Sequence, residues 1–302
     1  MGAPAKARAR MLILHDGNPL TNIRRPWVNY GLMLTMVVVF GLQLAGLVRW
    51  QHFAFIPVQL WHFWPGPGPL HGITGLFTHQ FLHGSLLHII ANLIALRVFG
   101  DNIEDALGHW RYAAFFLVSG ALAAIAQGIA APTAPLIGAS GAISAVMAGY
   151  LLLHPRARIF VLVFNVAPVL APASFVVGFS ILVNIAMAYD LTLLGGATPG
   201  AEARSIAWWA HIGGFAAGLL LVPLLKARSV ALFQPPPLTQ GVSMRWLGRL
   251  IPSLAWPGDR PFGEDAAAAV AAAEHPTRAK ALVFAKALLY ILLTLVLMRF
   301  LS

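Results

Sequence analysis

"LIGASGAIS", residues 136–144, lies inside residues 112–155, a stretch without a single Asp, Glu, Lys or Arg. That stretch is about twice what one helix needs to cross a hydrocarbon core about 30 Å thick. "APTAP" at 131–135 divides it, because prolines this close together stop a helix. Two spans result, at about 112–131 and 140–154. A serine set between small residues at the start of the second is either packing filler or a nucleophile with room around it.

The same reading extends in both directions. Residues 26–48 are uncharged, and "YGLMLTMVVVFGLQLAGLV" (30–48) reads as the first span. Residues 50–96 are uncharged too, but "WPGPGPLHG" (64–72) interrupts them. The stretch 50–80 is therefore expected to be a loop rich in Trp and Phe, with the second span starting near Gly84. Further spans are expected at about 159–188, 205–225 and 281–298. The composition agrees: 59% of residues are hydrophobic and 10% charged, against about 25% charged in soluble domains, and the mean hydropathy is +0.76. The expected architecture is all-α, a polytopic membrane helical bundle. Its six-helix core covers 29–226, after an N-terminal segment at 1–28. A linker at 227–280 leads to a seventh transmembrane helix within 281–302. With no cysteine, a disulfide framework, thiolate chemistry and Cys-ligated zinc are excluded.

The net charge of +10 would suit nucleic acid, but its distribution argues for topology. With the N-terminus in the cytoplasm and the spans alternating, the cytoplasmic side receives all of the 20 Lys and Arg residues except Arg49, Arg204, Arg299 and the intraspan Lys286. This is the positive-inside bias, reinforced by attraction to anionic lipid headgroups. No nucleic-acid partner is expected. The basic N-terminus lacks a short apolar core with a small-residue cleavage site, so the first span is expected to stay as an anchor. The linker contains "FQPPPL", too proline-rich for a helix, and "SMRWLGRLIPSLAW", suited to a membrane surface.

Polar side chains within spans face a bundle interior or a wet cavity, since lipid cannot solvate them. Four places stand out. In "HGSLLHIIANL" (83–93), His88 and Asn92 are four apart and share a helix face. In "GASGA" (138–142), Ser140 begins a small-residue face continued by Gly141, Ala145 and Ala148. In "AHIGGFAAGLL" (210–220), His211 is followed by Gly214 and Gly218, a seam that admits a neighbouring backbone. Each of these could be packing or interhelical hydrogen bonding. In "GDNIEDALGHWRY" (100–112), Glu104 sits at the opposite end of its span, and a structural pairing with Arg97 or Arg111 is expected. The first three places share one depth, in the outer part of their spans, which favours a single site. A serine nucleophile needs a base within hydrogen-bond reach and donors aimed at the developing oxyanion. His211 can be the base. Asn92, His88 and the Ser140 N–H can be donors. No third member is evident: Asp190 is the nearby acid, expected in the loop after the fifth span, and a Ser–His dyad is favoured.

The strings "LFTHQFLHGSLLHIIANL", "VFGDNIEDALG", "IGASGAISAVMAGYL" and "AHIGGFAAGLL" occur in this order between about residues 55 and 226. In them the chain resembles the rhomboid intramembrane serine proteases. The resemblance implies a rhomboid-like six-helix core with Ser140 as nucleophile and His211 as general base. It implies an oxyanion hole lined by His88 and Asn92, with His83 supporting the site. Gly138 and Gly141 would flank the nucleophile, and Gly214 and Gly218 would bring the sixth span against the fourth. It further implies cleavage of transmembrane-helix protein substrates near the outer membrane face, without metal or cofactor. The setting would be a bacterial inner membrane, with the site opening away from the cytoplasm. Two departures stand out. Rhomboids often carry an aromatic residue four after the serine, stacked on the histidine, where this chain has Ser144. The first outer loop often carries a Trp-Arg pair, where this chain has "LWHFW". A catalytically silent relative, acting as a membrane chaperone or trafficking factor, is the alternative, marked by loss of the serine or histidine, and both are present. A transporter or channel would place polar groups at the midplane and both faces, whereas this cluster is one-sided.

Overall fold

In the computed structural model, residues 18, 20–61, 68–163, 167–193 and 207–235 are described. The chain divides into two units, Met1–Gln240 and Gly241–Ser302, and every described residue falls in the first. The expected seventh span and most of the linker lie outside the described residues. The helices are α1 (Trp27–Leu44), α2 (Val58–Trp61), α3 (Gly68–Thr78), α4 (Leu86–Leu107), α5 (His109–Ala130), α6 (Ser140–Leu153), α7 (Ala173–Leu193) and α8 (Trp208–Leu225). Four of them (α1, α4, α5 and α8) are long and apolar enough to cross a membrane. The protein is an all-α membrane bundle.

Helix α6 forms the middle of the bundle, packed by α4, α5 and α8. Its residues are small or apolar on every side, and Ala142, Ala145, Val146, Ala148, Tyr150 and Leu153 are fully or almost fully buried. A helix apolar all round belongs inside. The surrounding helices instead keep apolar side chains on their outer surfaces, among them Leu34 and Val38 of α1, Leu87 of α4, and Leu220 and Leu224 of α8. In water such surfaces would aggregate, whereas lipid matches them.

Two of the expected segments need correction. The span expected at 159–188 is helical only from Ala173. Before it, β1 (Arg158–Val163) and β2 (Ala167–Pro172) form an antiparallel hairpin pairing Arg158 with Pro172 and Val163 with Ala167. "RIFVLV" is rich in β-branched and aromatic residues, and Pro168 and Pro172 remove N–H groups that a helix interior would need. Asp190 consequently lies in α7 and not in a following loop. The stretch 50–80 is not irregular either, since α3 occupies Gly68–Thr78. Proline is tolerated in a helix's first turn, where its missing N–H has no intrahelical partner to lose, so Pro69 begins this helix without breaking it.

The end of the bundle away from Ser140 is held by two carboxylates. Glu104 accepts hydrogen bonds from the Val28 and Asn29 N–H groups, at 3.0 and 2.7 Å, in the first turn of α1, and from His109 Nδ1. Its expected pairing with Arg97 or Arg111 does not occur: Arg97 pairs with Asp101 at 3.0 Å. A carboxylate at a helix N-terminus satisfies N–H groups that have no intrahelical acceptor and favours the helix dipole. Gly100 belongs to the same arrangement, since a Cβ there would run into the Asn29 side chain. Asp105 in turn gathers the N–H groups of Thr21, Asn22 and Ile23 at 2.7–3.1 Å, tying the segment before α1 to the end of α4. The start of the linker returns to this end too, with Ala227 N–H on Ala106 O and Phe233 N–H on Leu152 O. Glu104→Gln, which weakens charge-assisted bonds without changing shape, is expected to lower stability by about 1–3 kcal/mol. Thermal unfolding in detergent checks this.

Candidate active site

Helices α4, α6 and α8 all begin at the other end of the bundle, and each brings polar side chains there in its first two turns. Ser140 is the first residue of α6. His211 is the fourth of α8, one turn in from its start at Trp208. His88 and Asn92 are the third and seventh of α4, which Ser85 caps by accepting the His88 N–H at 3.2 Å.

Ser140 and His211, 71 residues apart in sequence, meet: the Ser140 hydroxyl lies 2.8 Å from His211 Nε2. The approach depends on glycine. A Cβ at Gly214 would fall on the Gly141 carbonyl oxygen, and a Cβ at Gly218 on that of Ala145. The backbones of α6 and α8 therefore touch as the small-residue seam implied. Gln127 of α5 accepts the Ala210 N–H at 3.1 Å, fixing the first turn of α8 next to His211.

The loop before Ser140 is shaped by Gly138. Its φ of +116° is a left-handed value that side chains resist, and a Cβ there would lie 2.7 Å from the His88 ring. His88 thus comes against the chain just ahead of Ser140. The Gly138 N–H donates to His79 O at 2.8 Å, and His79 is itself buried, with Nδ1 donating to Gly75 O at 2.8 Å. Burial pushes the His79 imidazole down to about 4, so it is neutral near pH 7. His83 is also buried. Its backbone exchanges two hydrogen bonds with the Gln43 side chain of α1, and its ring meets His88 edge-on with centroids 5.1 Å apart. Burial, followed by the neighbouring His88, brings the His83 imidazole down to about 4.

Asn92 is 5% exposed and its Nδ2 has no hydrogen-bond partner among the described residues. An unpaired buried amide is costly, and such a donor is poised for an acceptor that arrives from outside. Ser144 donates to the Ser140 carbonyl at 2.8 Å and so does not reach the imidazole. In place of an aromatic at that position, Trp208 stands perpendicular to the His211 ring with centroids 6.0 Å apart.

One residue of the cluster was not read from the sequence. His211 Nδ1 lies 2.6 Å from Asn184 Oδ1, on α7. The available signal was a single amide in the apolar string "ILVNIAMAY", without the flanking glycines that drew attention to the other sites. Among the described residues no group of three His, Cys, Asp or Glu could hold a metal ion.

A serine hydroxyl on an imidazole is the arrangement that acyl transfer requires. A family model described as the rhomboid domain matches residues 70–228, more than half of the chain, and spans all of these positions.

Proposed function

From the premise that this chain belongs to the rhomboid family and is an integral membrane protein, we propose that it is a serine endopeptidase hydrolysing peptide bonds in or near transmembrane helices. The observation that carries the reading is the 2.8 Å contact between Ser140 Oγ and His211 Nε2. As Ser140 attacks the peptide carbonyl, its proton passes to His211 Nε2. The carbonyl oxygen, now an anion, is met by Asn92 Nδ2, the His88 ring and the Ser140 N–H at the start of α6. The imidazolium then gives its proton to the leaving amine, whose C–N bond breaks. A water, deprotonated by His211, hydrolyses the acyl-enzyme and restores Ser140.

Depth suits a membrane substrate. With 14 residues, α6 is about 21 Å long, shorter than a hydrocarbon core of about 30 Å. With its far end at one surface, its first residue lies below the other, and Ser140 is reached from a cavity open to that side. On the positive-inside distribution this is the non-cytoplasmic side of a bacterial inner membrane, with the N-terminus cytoplasmic. A substrate helix must unwind to present its carbonyl, so residues of low helix propensity near the scissile bond favour cleavage. The partners are transmembrane-helix proteins and membrane lipids.

The test is covalent labelling. A fluorophosphonate is expected to modify Ser140 in the full-length protein in detergent, with labelling lost in Ser140→Ala and strongly slowed in His211→Ala. Absence of labelling in folded wild-type protein would instead identify a catalytically silent member of the family.

A further inference from the structure

The contact between α7 and α8 has a consequence for the proton path, and it follows from donor and acceptor chemistry alone. Asn184 is 7% exposed within an apolar helix. Its Nδ2 lies 2.8 Å from the Ser180 carbonyl oxygen. A carbonyl can only accept, so the NH₂ group must face it, and Oδ1 must face His211. Oδ1 can also only accept, so the nitrogen 2.6 Å from it, His211 Nδ1, must carry a proton. The neutral imidazole then has Nε2 bare, as an acceptor for the Ser140 hydroxyl. One chain of hydrogen bonds thus runs from Ser140 through His211 and Asn184 to Ser180, with every donor and acceptor matched. Other neighbours do not supply this selection. The Ser144 hydroxyl is committed to Ser140 O, and the edge contact of Trp208 orients the ring plane without distinguishing its two nitrogens.

We propose that Asn184 is the positioning residue of His211: its side-chain carbonyl holds the imidazole as the tautomer that can take the Ser140 proton, making the site a Ser–His–Asn arrangement spread over α6, α8 and α7. This rests on the protease reading above. During the reaction Asn184 Oδ1 keeps its hydrogen bond as Nε2 gains the serine proton, and it accepts from the imidazolium when that proton moves on to the leaving amine. Asn184 itself neither gains nor loses a proton. A neutral acceptor selects the tautomer without adding a buried charge, whose desolvation in a bundle core would be expensive.

The experiment measures kcat, KM and the pH profile of full-length wild type, Asn184→Leu, Asn184→Asp and Ser140→Ala on a transmembrane-helix peptide in detergent. On α4 the titratable group of the cluster is His88, whose ring lies against the chain just ahead of Ser140. Helix α6 offers only Tyr150, three turns from Ser140, and α5 carries His109, Arg111 and Tyr112 in its first turn, with no titratable residue after them. Helix α7 carries Tyr189 and Asp190 after Asn184. Asn184→Leu removes the acceptor at similar volume, and kcat is expected to fall by about 10–100-fold, with KM within about twofold. Asn184→Asp restores an acceptor, so kcat recovers to within about tenfold of wild type. Its carboxylate favours the imidazolium, so the acid limb of kcat/KM moves to higher pH. Wild-type kcat in Asn184→Leu overturns the proposal. So does an Asn184→Asp protein that is folded, as slow as Asn184→Leu and unchanged in its acid limb, which is the mark of a merely structural residue. Should Asn184→Leu not fold, the acid limb of Asn184→Asp decides alone: displaced, it supports the proposal, and unmoved, it overturns it. Cleavage by Ser140→Ala would remove the protease reading itself. An inactive Ser140→Ala beside a fully active Asn184→Leu removes only the role of Asn184.

Discussion

Ser140→Ala is expected to reduce turnover of a transmembrane-helix substrate by at least about 10⁴-fold, and His211→Ala by a similar factor. Removing the hydroxyl deletes the proposed nucleophile. Removing the imidazole leaves a hydroxyl whose proton has no acceptor at hydrogen-bond distance, since the described partner of Ser140 Oγ is His211 Nε2. Because the two act as a unit, the double variant should be no slower than the slower single one. Asn92→Ala should cost less, about 10²–10³-fold in kcat, as for the loss of one oxyanion donor. The Ser140 change should leave the fold intact, since among the described residues the only side-chain bond it removes is the one to His211. Single-turnover cleavage and thermal unfolding on the same preparations check both parts. Full activity in either Ser140→Ala or His211→Ala sinks the proposed mechanism.

The second large effect comes from a methyl group placed in the seam between α6 and α8. Gly214→Ala puts a Cβ on the carbonyl oxygen of Gly141, and Gly218→Ala puts one on that of Ala145. Neither oxygen can yield as a flexible side-chain end would, because both are main-chain atoms within α6. The two helices must part. A separation of about 1 Å is enough to cost about 100-fold when it lies between nucleophile and base, so each variant should lose at least that much in kcat. Overpacking should also destabilise by about 1–3 kcal/mol. Gly178→Ala is the control: a Cβ there meets nothing within 4 Å, and both rate and stability should stay near wild type. Wild-type turnover in Gly214→Ala would show that helix contact does not set the Ser140–His211 distance.

Legibility from sequence divides along a physical line. The charge-free runs located α1, α5, α6 and α8 to within a few residues, and the start of α4, because apolar stretches of this length suit a bilayer; α4 runs on past the end of its uncharged stretch, through Arg97, Asp101, Glu104 and Asp105. The run at 159–188 misled, since apolar character alone does not separate a strand from a helix, and "RIFVLV" pairs with "APVLAP" as a hairpin. The run at 50–80 misled in the other sense: Pro and Gly marked it as irregular, yet at a helix start proline fits. Glu104 was singled out as a polar group at the far end of its span but given the wrong partners. Its true partners, the N–H groups of Val28 and Asn29, lie 75–76 residues away, and backbone donors leave no trace in residue type.

By itself the sequence determined that the chain is a membrane bundle and which side chains are polar at one depth of it: Ser140, His211, His88 and Asn92. These follow from local properties, namely hydropathy over a span and the expense of a polar group in lipid. Only the tertiary structure decided which of them touch, and with what orientation. The Ser140–His211 contact depends on α6 and α8 meeting backbone to backbone at Gly214 and Gly218. Asn184 became part of the cluster because α7 places its amide 2.6 Å from His211 Nδ1. Nothing in a stretch of apolar sequence says which way an isolated amide faces, since that is set by how helices distant in sequence are rotated against one another.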